Sequence, residues 1–391
     1  MKTIIQTILS VFFLALVFSG CSKKDATEIK PGAERTEAYL PLLEGKRVAL
    51  AINNSSVIGG KSTPDTLLAL GVNVIKVFGP EHGFRGGNNY DSIDAQTGLK
   101  VISLYKNGTY KPKNEDLADV DIMIFDMQDV GTRFYTYLST LHYVMEACAQ
   151  NGKELIIFDR PNPNDTYVDG PILDTNFRSF VGMHPIPIVH GLTLGEYAGM
   201  INGEGWLADG IQCKVTVIQV ENYEHGKPYI LPIPPSPNLN TQQSILLYPS
   251  LCLFEGTVIS QGRGTDFPFT VLGNPLLKEQ YSFSFTPVSM EGMSTNPPHK
   301  DSLCFGMDLR QYDTKIFKET GRINLSWLLE FYKNYPNKEK FFREKRFDRL
   351  AGGDALRKQI IEGKTEDEIR QSWEPRLSQY KEMRKKYLLY K

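Results

Sequence analysis

Short apolar runs separated by polar or glycine-bearing loops set the pattern of the first half of the chain. Val48 to Ile52, Val72 to Val77, Val101 to Leu104, Asp121 to Phe125 and Leu155 to Phe158 are nearly continuous in hydrophobic side chains. Runs that short, without polar alternation, predict strands buried on both faces. Helices are predicted between them. Ser62-Thr63-Pro64-Asp65 supplies a hydroxyl cap, a proline near the first helical position and an acid in the first turn, and Gly71 ends that helix. A longer helix is predicted over roughly Tyr135 to Gln150, stopping at Asn151-Gly152, and another starts in His190-Gly191-Leu192-Thr193-Leu194-Gly195-Glu196. This alternation predicts a parallel sheet with right-handed crossovers, so that every strand's C-terminal end lies on one edge.

The second half reads differently. Lys214 to Val220 alternates as a strand, and Pro232, Pro234, Pro235 and Pro237 then form a stiff, extended connection. Beyond it, strand-like runs alternate with two amphipathic helices, near Leu325–Tyr335 and Asp354–Ile361. The tail from Glu366 to Tyr390 places Trp373, Leu377 and Tyr380 at helical spacing, which predicts a helix packed on the second domain. At the other end, Lys2 and the apolar stretch Ile4 to Phe18 form a signal too short to span a bilayer comfortably. It ends in Phe18-Ser19-Gly20-Cys21, which is similar to a bacterial lipobox. We therefore expect cleavage before Cys21, lipid on Cys21 as a membrane anchor, and a flexible tether over 21–38. The expected location is the bacterial cell envelope, facing the periplasm.

A formal net charge of −1 argues against a general polyanion binder, and no nucleic-acid partner is expected. Cys148, Cys213, Cys252 and Cys304 fit no zinc or redox spacing and are expected to be buried thiols, with any disulfide among them left open.

Three loops carry the candidate chemistry: Phe78-Gly79-Pro80-Glu81-His82-Gly83-Phe84-Arg85-Gly86, Asp126-Met127-Gln128-Asp129-Val130-Gly131-Thr132-Arg133, and Asp159-Arg160-Pro161-Asn162-Pro163-Asn164. Each follows a predicted strand, so Glu81, Asp126, Asp129 and Asp159 point to the crevice where open α/β sheets bind ligands. Converging acids with aromatic rings nearby suit glycoside cleavage, in which one carboxylic acid protonates the leaving oxygen and a second group acts across the anomeric carbon. Glu81 is the acid candidate. Glycines and Phe84 would desolvate it and raise its pKa, while His82 and Arg85 would lower it. Asp126, Asp129 and Asp159 compete for the second role. Arg133, Arg160 and Arg263 suit a substrate carboxylate, with a salt bridge to a neighbouring aspartate an equal alternative for Arg160. His82 and His190 lack helical metal-binding spacing, so neither metal nor cofactor is expected. Gly262-Arg263-Gly264 lacks a Walker ending, and no Gly-x-Ser-x-Gly elbow occurs.

Taken with His190-Gly191-Leu192-Thr193, Pro235-Ser236-Pro237-Asn238, Glu255-Gly256 and Gly262-Arg263-Gly264-Thr265, these loops resemble the exo-β-N-acetylmuramidases of glycoside hydrolase family 171. The resemblance spans nearly the whole mature chain and departs at Asn240, where proline is common, and at Asp266-Phe267-Pro268-Phe269. It implies a Rossmann-like domain (39–230), a smaller α+β domain (231–391) and a cleft between them. It also implies removal of terminal β-1,4-linked N-acetylmuramic acid from muropeptides or disaccharides of peptidoglycan. Under it, Glu81, His82, Asp129 and Asp159 are catalytic candidates. Substrate-binding candidates are Arg85, Asp126, Gln128, Arg133, Tyr135 and Arg160, followed by Asn162, His190, Asn238, Glu255 and Arg263. A sugar-binding envelope lipoprotein without catalysis and a metal-dependent envelope amidase are the alternatives.

Overall fold

The computed structural model describes residues 28–80, 84–85, 91–105 and 108–391. Strand β1 (Val48–Ile52) is buried at all five positions. Val48, Leu50 and Ile52 enter one core and Ala49 and Ala51 the other, which is why the run carries no polar alternation. A small hairpin of β2 (Val57–Ile58) and β3 (Lys61–Ser62) follows. The chain continues through β4 (Val74–Gly79), β5 (Ser92–Ile93), β6 (Lys100–Ser103), β7 (Ile122–Asp126), β8 (Glu154–Phe158) and β9 (Val215–Ile218). These strands form a seven-stranded sheet in the order β5-β6-β4-β1-β7-β8-β9. All neighbours are parallel except the short edge pair β5 and β6.

Helices cover both faces. Tyr39 and Leu43 of α1 (Thr36–Leu43) and Leu67 of α2 (Thr63–Ala69) pack on one. Beyond the single turn α3 (Asn114–Leu117), α4 (Tyr137–Gln150) and α5 (Leu194–Gly203) cover the other. Thr193 caps α5 through a reciprocal capping box with Glu196.

After α6 (Gln242–Leu251) the chain builds a three-stranded antiparallel sheet from β10 (Val271–Asn274), β11 (Phe283–Phe285) and β12 (Cys304–Asp308), in the order β10-β12-β11. Helices α7 (Lys315–Thr320), α8 (Ser326–Asn334), α9 (Glu344–Ala351), α10 (Ala355–Ile361) and α11 (Glu366–Arg384) complete this part. Phe254, Phe331, Phe347 and Trp373 join the same core as Ala49 and Phe125, so the two parts share one apolar interior. The fold is α/β and Rossmann-like, with a smaller α+β part. Cys148, Cys213, Cys252 and Cys304 are buried and unpaired.

Two expectations are corrected. Helix α11 does not pack on the second part alone. Arg370 donates to Asp169 at 2.9 Å and Tyr380 donates to the His190 carbonyl at 2.8 Å, because its apolar face enters the shared core. The segment from Lys30 onward is docked, not a free tether. Gly32 donates to the Asp159 carbonyl at 2.8 Å, and any Cβ there would lie 2.1 Å from the Ile218 carbonyl oxygen. Cys21 and the apolar leader lie outside the described residues. Among the described residues, no helix is long and apolar enough to cross a membrane.

Candidate active site

Because β1, β4, β7 and β8 run the same way, with Ile52 opposite Asp126 and Ala51 opposite Phe78, their ends deliver loops to one edge. The most buried polar groups there brace the edge itself. Asp126 is fully buried and accepts from Arg160 Nε at 2.6 Å and from Thr63 Oγ1 at 2.7 Å. An ion pair this enclosed is satisfied only by such complementary bonds, and neither partner is left for a ligand. The expectation of substrate contact for Asp126 and Arg160 is corrected accordingly. Arg160 does form a salt bridge, but to Asp126 on the neighbouring strand and not to Asp159 beside it.

Asp159 is corrected too. Its buried carboxylate accepts from Thr193 Oγ1 at 2.7 Å, the Gly195 N–H at 2.8 Å and the Tyr390 hydroxyl at 2.6 Å. It sits against the N-terminus of α5, where unpaired N–H groups favour an anion. Burial pushes its pKa up to about 6 despite these donors. The carboxylate ties α5 to the end of the chain and has no open side for a sugar.

Gln128 donates to the Asp129 and Pro161 carbonyls, each at 2.8 Å. Asn162 donates to the Leu192 carbonyl and accepts from the Asn164 N–H. Both hold turns internally. Arg85 is held in ion pairs with Asp65 at 2.7 Å and Asp94 at 2.8 Å. Arg133 is 1% exposed and donates to the carbonyls of Pro171, Ile186 and Leu350 at 2.7, 2.7 and 2.9 Å. Burial without a carboxylate partner pulls its pKa down to about 9, which leaves it charged at neutral pH. It pins the end of α9 to the first part of the chain and cannot reach a substrate carboxylate.

Asp129 and His190 differ. The Gly131 N–H donates to Asp129 Oδ2 at 2.6 Å, while Oδ1 is buried with no partner. Leu192 N–H donates to His190 Nδ1 at 3.2 Å, so the proton of the neutral ring lies on Nε2, which faces Asp129 Oδ2 at 3.7 Å. That nitrogen also lacks a partner. Buried polar atoms are usually filled, so this acceptor and donor are unspent polar capacity, as Thr132 Oγ1 and Arg133 Nε in the same loop also are.

Nearby, between the two parts of the chain, a cavity of about 530 Å³ is lined by Tyr135, Asn238, Tyr248, Glu255 and Arg263. Four of these five were expected from sequence. Tyr135 donates to the Pro235 carbonyl at 3.1 Å, and burial keeps its phenol protonated. Asn238 Oδ1 is buried and unpartnered. Glu255 accepts from Arg263 Nη2 at 2.6 Å and also from Arg346. Burial would raise the Glu255 pKa, but the two arginines outweigh it and hold the carboxylate ionised. Glu255 is therefore no proton donor at neutral pH.

Sequence reasoning missed Tyr248, Lys345, Arg346 and Arg349, which also line the cavity. The i, i+4 spacing of Lys345 and Arg349 on one helical face was the available signal. Glu81 and His82 lie outside the described residues, just beyond Gly79, which ends β4 at the same sheet edge. Among the described residues, no group of three or more His, Cys, Asp or Glu side chains is placed to hold a metal ion.

Comparison with known proteins places this geometry in a family. The models for the N-terminal and C-terminal domains of exo-β-N-acetylmuramidase NamZ match residues 48–243 and 246–390. The peptidoglycan β-N-acetylmuramidase NamZ of Bacillus subtilis is 39% identical over 376 residues, covering 90% of this chain and 89% of that protein. Two crystal structures of DUF1343 family proteins from Bacteroides fragilis superpose with TM-scores of 0.87 and 0.81, at 46% and 30% identity. Each comparison covers 93% of this chain and 99% of that one. The chain belongs to the exo-β-N-acetylmuramidase NamZ family.

Proposed function

We propose that this protein is an exo-acting glycoside hydrolase that removes β-1,4-linked N-acetylmuramic acid from the non-reducing ends of peptidoglycan fragments. The family match across both halves of the chain carries this reading. The two-part cavity with its aromatic faces suits a pocket that admits one chain end. In the reaction the bond from the anomeric carbon to the leaving oxygen breaks, a proton is delivered to that oxygen, and water completes the free muramic acid. Glu81 is assigned the role of proton donor. Asp129, with its unpartnered Oδ1, is assigned the role of second carboxylate, and His190 that of its partner. Tyr135 and Tyr248 offer ring faces to the sugar.

We further propose that the first twenty residues are a lipoprotein signal and that lipid on Cys21 holds the enzyme at the membrane of the cell envelope, facing the periplasm. Loss of fatty-acid labelling in Cys21→Ala would support that; unchanged labelling would oppose it.

The test of the activity uses peptide-free glycan chains with muramic acid at the non-reducing end, digested in the presence of EDTA and resolved by mass. The reading predicts release of one N-acetylmuramic acid per chain, after which the exposed N-acetylglucosamine stops the reaction. Internal fragments, or binding without release, would contradict it.

A further inference from the structure

We propose that Lys345 and Arg349 form the site at which the cavity recognises a carboxylate on the substrate, and so set its preference for an anionic sugar over a neutral one. This rests on the muramidase reading and adds to it residues in the second part of the chain. Lys345 and Arg349 lie four residues apart on α9, share a face with Arg346, and line the cavity. Arg263 and Arg346, also at the cavity, are both paired with Glu255, which offsets one of their two charges. Lys345 and Arg349 have no ion-pair or hydrogen-bond partner among the described residues. Both side chains are exposed, whereas the more enclosed Arg160 and Arg357 are matched by Asp126 and Asp348. Like charges at i, i+4 repel, so an unmatched pair there works against the helix unless an anion sits between them.

The helix presenting them is rigidly seated. Arg133 donates to the Leu350 carbonyl at its end, and Gly256 lies so close that a Cβ would meet Phe347 Cα at 2.4 Å. Cations held on such an element lose little entropy when they pair with a carboxylate. That carboxylate belongs either to the lactyl ether of muramic acid or to a stem peptide attached to it; the chemistry recognised is the same.

The test measures kinetics of the full chain and of the double variant Lys345→Ala/Arg349→Ala. The substrates are a chromogenic β-N-acetylmuramic acid glycoside, its lactyl N-methylamide, and a muramyl glycoside bearing a stem peptide. The proposal predicts that the double variant raises KM about tenfold, or 1.4 kcal/mol, while kcat stays within about threefold. If the lactyl group is the source, wild type on the methylamide behaves like the variant on the acid; if the peptide is, the effect appears only on the peptide-bearing substrate. An unchanged KM on every carboxylate-bearing substrate would overturn the proposal. Calorimetric binding of free N-acetylmuramic acid and of a stem peptide to both proteins separates the two readings. Absent wild-type turnover with binding weakened in the variant sinks the hydrolase reading and keeps this one. Equal affinities overturn it.

Discussion

His190 Nε2 faces Asp129 Oδ2 across 3.7 Å, while that nitrogen and Asp129 Oδ1 are both buried without hydrogen-bond partners. Asp126 and Asp159 at the sheet edge are filled by internal donors, whereas Asp129 keeps an unspent acceptor. The His190 carbonyl is held by Tyr380 and the Gly191 carbonyl by Arg384, both from α11. The last helix of the chain thus fixes the turn that aims the imidazole.

Asp129→Asn keeps an oxygen for the Gly131 N–H but removes the carboxylate charge. We expect kcat on a muramic acid glycoside to fall about a hundredfold or more, the usual scale for a group in proton transfer or charge stabilisation. The thermal midpoint should stay close to that of wild type. A midpoint that collapses while kcat per folded molecule holds would make Asp129 another brace.

Asp159 should behave in the opposite way. Tyr390→Phe removes one donor from its buried carboxylate and should cost about 1.5–3 kcal/mol of stability in urea unfolding, as for hydrogen bonds to charged groups. Turnover per folded molecule should be unchanged. A large kcat loss with stability intact would return Asp159 to the catalytic set.

The end of the chain also predicts a pH dependence. The His225 ring reaches Asp165 at 3.1 Å and Glu196 at 2.8 Å, with Arg384 at 3.5 Å, and its backbone N–H donates to the Lys391 carbonyl. Burial alone would lower its pKa, but the two acids outweigh burial and raise it from 6.5 to about 9. A base whose folded pKa is raised contributes stability that is complete below the unfolded pKa and lost as pH rises through the folded one. Wild type should therefore lose thermal stability between about pH 6.5 and 9 relative to His225→Gln. Asp159, with its pKa near 6, titrates below that window. Parallel melting curves for the two proteins across this range would contradict the account.

The sheet was legible because β1, β4, β7 and β8 are short, apolar and buried on both faces, a pattern with few other solutions. Their polar ends were legible as loops on one edge. Which of those side chains face a ligand was not. Asp126 meets Arg160 only because β7 and β8 are neighbours, and Asp159 meets Tyr390 across 231 residues of chain. Such long-range pairing leaves no local spacing to read. Tyr135, Asn238 and Glu255 were found through motif resemblance and Arg263 through its charge, and they meet in one cavity. Lys345 and Arg349 were overlooked because a charged helix face is ordinarily a solvated one; these two are exposed, and only the tertiary structure shows that they line the cavity.

The most direct measurement compares wild type with Glu81→Gln on two muramic acid glycosides, one with a good leaving group such as a dinitrophenol and one with N-acetylglucosamine as the leaving sugar. A general acid matters most where the leaving oxygen needs its proton. The account predicts near-wild-type bond cleavage on the activated glycoside and a loss of about a thousandfold on the natural linkage. Equal turnover of the natural linkage by wild type and Glu81→Gln would contradict the assignment of Glu81 as the proton donor.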